Sequence, residues 1–213
     1  MKAPNTTTQR LEAFSDAVIA IAITLLVIIL LELPHVEHGL FDALVDHWPS
    51  FVAFIISFVV IGIMWVSHHA MFERIATVDR PLLFLNLLLL MGIAFLPFPT
   101  DLLATYVADG GGDAHVAAAM YSTTMTLIGI VFLSMWVWLA RNPSLVVEGI
   151  PPERVRKAMI RSLVSPVVYG LTIGLAFISA VACMVVYGAI AIYFARGPSA
   201  RAAAPEHARS DAE

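Results

Sequence analysis

Charge is scarce in this 213-residue chain: 13% of residues are Asp, Glu, Lys or Arg, while 60% are hydrophobic. Soluble domains carry about a quarter charged residues. A water-soluble fold of this length has too little interior to hide so much apolar surface, so that class is excluded. Cysteine is nearly absent too. The single Cys183 lies in an apolar run, which rules out an intrachain disulfide. A nucleophile–base set and a metal-ligand motif are also missing, so no enzyme activity, cofactor or nucleic-acid partner is expected. His68-His69 followed by Met71 and Glu73 lacks the i, i+4 histidine pairing of a zinc peptidase helix. No internal repeat is visible.

What the chain does have is long apolar runs between short polar clusters. A helix needs roughly 20 apolar residues to cross a bilayer core of about 30 Å. Four spans are plain: Ala13–Leu33, Pro49–Met71, Pro81–Leu103 and Val116–Ala140. Pro97 and Pro99 should kink or break the second half of the third. The charge-free stretch Ser162–Ala195 would extend about 51 Å as one helix, too long for a single crossing. It reads as two helices, Pro152–Phe177 and Ser179–Ala195, joined by a short outer turn. The first apolar run is too long for a signal peptide, follows Glu12 and Asp16, and lacks a small-residue cleavage pattern, so that helix is expected to be retained.

The distribution of charge tests this topology. The 12 Lys and Arg lie at the N-terminus (Lys2, Arg10), between spans two and three (Arg74, Arg80), between four and five (Arg141, Arg154, Arg156, Lys157, Arg161) and after span six (Arg196, Arg201, Arg209). The remaining connections hold acids only: Glu32, Glu37, Asp42 and Asp46, then Asp101, Asp109 and Asp113. The positive-inside rule places both termini in the cytoplasm, which requires an even number of spans. The expected fold is an all-α, multi-pass cell-membrane protein: a six-helix domain over residues 1–196 and a disordered cytoplasmic tail over 197–213. The outer segment Glu37–Trp48 can form a short interfacial helix. His35, Glu37, His38 and Asp42 there can bind a divalent ion weakly, though a solvated acidic loop is the simpler reading.

Charged side chains inside a span cost several kcal/mol and point to function. By depth along the helices, Arg10, Ser15, Asp16, His68, His69 and Asn86 fall in one inner-leaflet layer, with Trp65 slightly deeper. Mutual hydrogen bonds and opposite charges would offset the cost of burying them. The plainer alternative has Ser15 and Asp16 capping a helix and the histidines reaching back to the interface. Along the first span, Ala17, Ile21, Thr24, Leu25 and Ile28 share one face.

Arg10-Leu11-Glu12-Ala13-Phe14-Ser15-Asp16 resembles the R-x-x-x-F-S-D signature of the bacterial relatives of transmembrane protein 175, the endosomal/lysosomal potassium channel. The similarity continues through Ala20–Leu25, Trp65-Val66-Ser67-His68-His69, Asn86-Leu87 and Phe95-Leu96-Pro97-Phe98, covering the first half of the chain. This resemblance implies an oligomeric potassium channel, a homotetramer of six-helix subunits in the lipid bilayer whose first helices line the pore. It implies apolar constrictions at Ile21, Leu25 and Ile28, a hydroxyl ring at Thr24, and an anchoring network of Arg10, Phe14, Ser15, Asp16, Trp65, His68, His69 and Asn86. Potassium is then the permeant ion. Ile29-Leu30 stand where an apolar–Glu pair is common in the family, and Glu32 follows later. A narrow ring of branched apolar side chains strips water from an ion without replacing it. Potassium gives up its hydration more cheaply than sodium, and such a ring can gate by dewetting.

Two stretches imitate a carbonyl-lined filter, Val167-Val168-Tyr169-Gly170 and Val185-Val186-Tyr187-Gly188, but both lie inside continuous apolar helices. Gly170-Leu-Thr-Ile-Gly174 is better read as close helix packing through small residues. The rival function is a proton-coupled secondary transporter using Asp16 and the inner-leaflet histidines, against which the absence of an inverted repeat or a broken-helix pair counts.

Overall fold

The computed structural model describes residues 6–32 and 39–195. The expected outer-loop residues His35, Glu37 and His38 and the tail over 197–213 lie outside the described residues. The helices are α1 (Thr6–Leu25), which continues as a 3-10 segment (Leu26–Glu32), α2 (Leu40–Asp46), α3 (Trp48–Phe72), α4 (Arg80–Phe95), α5 (Pro97–Tyr106), α6 (Gly111–Arg141), α7 (Pro152–Ser162), α8 (Val164–Ala176) and α9 (Ala180–Ala195). Stacked end to end they give five segments long and apolar enough to cross a membrane: Thr7–Leu31, Trp48–Phe72, Arg80–Tyr106, Gly111–Arg141 and Pro152–Ala176. The sixth, α9, has 16 residues and is about 24 Å long at 1.5 Å per residue. The protein is therefore a multi-pass membrane protein, and five long spans with the shorter α9 among the described residues are consistent with six.

Proline sets the internal breaks. Pro97 has no N–H for the Ile93 carbonyl, so the third span is interrupted at Leu96, whose own N–H reaches back to Ile93 at 3.2 Å. The fifth span, expected as one helix, breaks at Leu163. Pro166 cannot bond to the Ser162 carbonyl; the Leu163 N–H tightens to the Ile160 carbonyl at 3.3 Å, and the Met159 carbonyl it leaves accepts from the Ser162 hydroxyl at 2.7 Å. The turn between spans five and six is short because Ser179 starts α9 directly, its hydroxyl accepting from the Ala182 N–H at 3.2 Å. The helix expected between spans one and two is limited to Leu40–Asp46 and buries none of its residues.

The 31-residue α6 is the hub of the bundle, packing against α4, α5, α7, α8 and α9. On one side α1 lies against α3 and α4, and on the other α8 makes the most extensive helix pair with α6. That pair does not close through Gly170 and Gly174, as small-residue spacing predicts. A side chain at Gly174 would meet open space and one at Gly170 only Thr126, whereas a Cβ at Gly129 would lie 2.9 Å from the Pro166 ring. Gly129 is thus the notch that admits the proline. Buried hydroxyls tie the remaining spans together. Ser57 bonds to Thr100 at 2.9 Å and Tyr121 at 3.2 Å, and Ser122 bonds to Thr172 at 2.9 Å and Tyr187 at 2.6 Å. Neither imitation filter is extended: Val167–Gly170 lies within α8 and Val185–Gly188 within α9.

At one end the loops after α3 and α6 zip together. Ala76 N–H donates to the Leu145 carbonyl at 2.8 Å and Val147 N–H to the Arg74 carbonyl at 3.0 Å. Every Lys and Arg among the described residues lies at this end, hereafter the basic end.

Candidate functional site

The first helix has two unlike faces. Ser15, Ile19, Ala22, Leu26 and Ile29 recur every three or four residues and are buried against the bundle. The opposite face is uncovered in the single chain: Ile21 is 59% exposed, Leu25 42% and Ile28 50%. Thr24 shares this face, and its hydroxyl is turned inward to donate to the Ile21 carbonyl at 2.8 Å. From Leu26 the chain tightens into the 3-10 form, in which positions three apart eclipse. Leu25, Ile28 and Leu31 therefore fall in one line. Leu31, at 74% exposed, extends the stripe by a residue the sequence pattern did not single out.

The buried face is fixed by a directed chain of hydrogen bonds. The Ser15 hydroxyl donates to the Leu11 carbonyl at 2.9 Å, so its oxygen is free to accept from Asn86 Nδ2, also at 2.9 Å. With its amide nitrogen so engaged, Asn86 presents Oδ1 to His68 Nε2 at 2.9 Å. His68 must then be the donor, which assigns the proton to Nε2. All three side chains are fully buried. His68 Nδ1 has no partner among the described residues, and the ring stacks on Phe72 with centroids 4.3 Å apart. This chain joins α1, α4 and α3 at one depth.

Two further contacts sit nearer the surface of the same layer. Trp65 Nε1 donates to Asp16 Oδ1 at 3.0 Å, and His69 Nδ1 meets Glu12 Oε1 at 2.9 Å. Asp16 is thus held by an indole N–H rather than by a cation. Glu12 is the member of the layer that sequence reasoning passed over. Its signal was present: Glu12 and Asp16 are four apart on α1, and His69 and Trp65 are four apart on the antiparallel α3, so one helical turn on each supplies both pairs. The layer falls into two groups: the Ser15–Asn86–His68 chain, and the Asp16–Trp65 and Glu12–His69 pairs, joined by the stacking of Trp65 on His69 with centroids 6.1 Å apart. Arg10 is exposed and has no ion pair or hydrogen bond with any described residue, and Phe14 is 51% exposed on the uncovered side of α1.

Residues 10–97 match the family model described as endosomal/lysosomal potassium channel TMEM175. A potassium channel of Streptomyces collinus is 43% identical over 92% of this chain and 97% of its own length. A potassium channel of Chamaesiphon minutus is 40% identical over 88% of this chain and 93% of its own. The crystal structure of a lysosomal potassium-selective channel TMEM175 homolog from Chamaesiphon minutus superposes with a TM-score of 0.80 at 37% identity, covering 94% of this chain and 100% of that one. The match spans nearly the whole of both chains, including the second half where sequence motifs were silent. This chain belongs to the TMEM175 channel family.

Proposed function

We propose that the protein is a potassium-permeable cation channel, a homotetramer whose four α1 helices surround the pore with Ile21, Leu25 and Ile28 inward. The carrying observation is the two-faced α1: one face pinned by Ser15, Asn86 and His68, the other a row of large apolar side chains with no cover in the single chain. Exposed apolar side chains in lipid need no explanation by themselves. Here, however, the helix is locked in rotation by buried polar contacts. Such locking is what a pore demands, because a turn of the helix would replace the constriction. The relatives' names, as potassium channels, agree with this reading. Thr24 supplies a hydroxyl beside the first apolar ring, and Leu31 extends the row at the acidic mouth. Both termini face the cytoplasm, because the cations gather at one end of the bundle.

The transporter alternative needs Asp16 and the histidines free to exchange protons. In the structure Asp16 accepts from Trp65, His69 pairs with Glu12, and His68 donates to Asn86. Those groups are committed to holding helices together.

Single-channel recording in a planar bilayer tests the reading. The wild-type protein should give unitary potassium currents. Ile21→Asn, which puts amides in place of an apolar ring, should raise both sodium and potassium currents and bring their ratio towards one. Ile23 is half-buried against the core, so Ile23→Asn costs fold stability without that change in selectivity. Equal effects at both positions, in protein that elutes as the intact oligomer, would remove the pore from this face. Flux without unitary currents would favour a carrier.

A further inference from the structure

A second feature lies away from α1. Six helices, α3, α4, α6, α7, α8 and α9, line a half-open cavity of about 90 Å³ in the half of the bundle next to the basic end. Its walls are almost wholly apolar, with Ile93 and Met125 at the far side and Phe132, Ser162, Ser165 and Phe194 towards the basic end. Tyr169 lines it. This tyrosine is 1% exposed, and its hydroxyl has no partner among the described residues. The other two buried tyrosines of the cluster are satisfied, Tyr121 by Ser57 and Tyr187 by Ser122 and the Ala118 carbonyl. An orphaned buried hydroxyl costs free energy unless something reaches it. The Tyr169 hydroxyl oxygen is itself closed off, so it is the ring that faces the cavity.

The rim is cationic. The Arg161 guanidinium sits 5.9 Å over the ring of Phe194, itself part of the wall. Arg161 closes α7, a helix that also bears Arg154, Arg156 and Lys157 against the single acid Glu153. A cationic helix directly at a membrane boundary is the footprint of anionic lipid.

We propose that this cavity seats one acyl chain of an anionic phospholipid from the leaflet at the basic end. The phosphate lies against Arg161, and the chain runs along the Tyr169 ring. The occupant is argued from three features together. An engineered apolar cavity of about 150 Å³ holds benzene but stays free of water; this smaller one takes a length of hydrocarbon chain. An ordered water needs two to four polar partners, which walls this apolar do not supply. The charge at the rim selects the headgroup. The site needs only that the helices cross a bilayer, so it stands or falls independently of ion conduction.

Full-length protein, delipidated in detergent and titrated in native mass spectrometry with dioleoyl phosphatidylglycerol, dioleoyl phosphatidylcholine or inorganic phosphate, tests it. The expected result is saturable binding of one phosphatidylglycerol per chain, about tenfold tighter than phosphatidylcholine, with inorganic phosphate a poor competitor. Arg161→Gln should erase the headgroup preference. Tyr169→Phe, which keeps the ring that faces the cavity, should leave both affinities and the preference intact. Ser165→Phe, which plugs the cavity, should weaken both about tenfold. Ser67→Leu, from the α3 wall, serves the same purpose should Ser165→Phe not give folded protein. Non-saturating binding, unchanged binding in the plugged variant, or displacement by inorganic phosphate at equal concentration overturns the proposal.

Discussion

Replacing Asn86 by Leu removes the one side chain that touches both Ser15 on α1 and His68 on α3. The volume is nearly conserved, so the effect isolates the two hydrogen bonds. Ser15 keeps its donated bond to Leu11 and loses only an accepted one, a change of about 1 kcal/mol. His68 fares worse, because its Nε2–H is left without an acceptor in a fully buried site, at about 1–3 kcal/mol. Together these amount to about 2–4 kcal/mol, or a fall in melting temperature of about 5–15 °C for a chain of this length. The assay is thermal unfolding in detergent followed by size-exclusion of the surviving oligomer. His68→Phe should destabilise comparably by orphaning Asn86 Oδ1. The double variant removes both partners and should recover about 1–3 kcal/mol of the summed loss. Ser134→Ala is the control, since that hydroxyl bonds only to the Ile130 carbonyl one turn back on its own helix. A melting temperature unchanged in Asn86→Leu, or strict additivity in the double variant, would sink the view that this chain of bonds holds α1 in place.

The other tests concern the surroundings of that chain. Asp16→Asn keeps an oxygen for the Trp65 N–H and should cost under about 1 kcal/mol, whereas Asp16→Leu loses the bond; unequal oligomer stability by light scattering checks this, and equal loss in both would point to the charge itself. Gly129→Ala drives a Cβ to 2.9 Å from the Pro166 ring and should destabilise by about 1–3 kcal/mol, while Gly174→Ala, facing open space, should be neutral or slightly stabilising in the same melt. Cys183 is buried, so single cysteines can be introduced beside it. A thiol at Asp109 should label from outside in intact cells and one at Arg154 only after permeabilisation, the reverse pattern contradicting the orientation.

Much of this protein is legible one dimension at a time. The segregation of Lys and Arg from acids, together with run lengths, sufficed for six spans, because lipid leaves the backbone no choice but helix and the loops no choice but the surface. Pro97 announced the break at Leu96 for an equally local reason. The short motifs around Asp16, His68 and Asn86 pointed to one layer, and depth along each helix is simple arithmetic.

Helix rotation is another matter. When every face of a span is apolar, hydrophobic periodicity carries no information about which side meets a neighbour. Only the packed structure separates Ser15, facing inward, from Phe14 and Ile21, facing out. For the same reason the polar layer divides into two groups with Arg10 outside them, and Asp16 finds an indole rather than a cation. The closest approach of α6 and α8 uses Gly129 against Pro166 and not the Gly170–Gly174 pair, since a glycine notch matters only where a partner enters it. Spacing along the chain fixes what lies at the same depth; contact between spans is decided by side-chain shape and by the hydrogen bonds that buried polar atoms must complete.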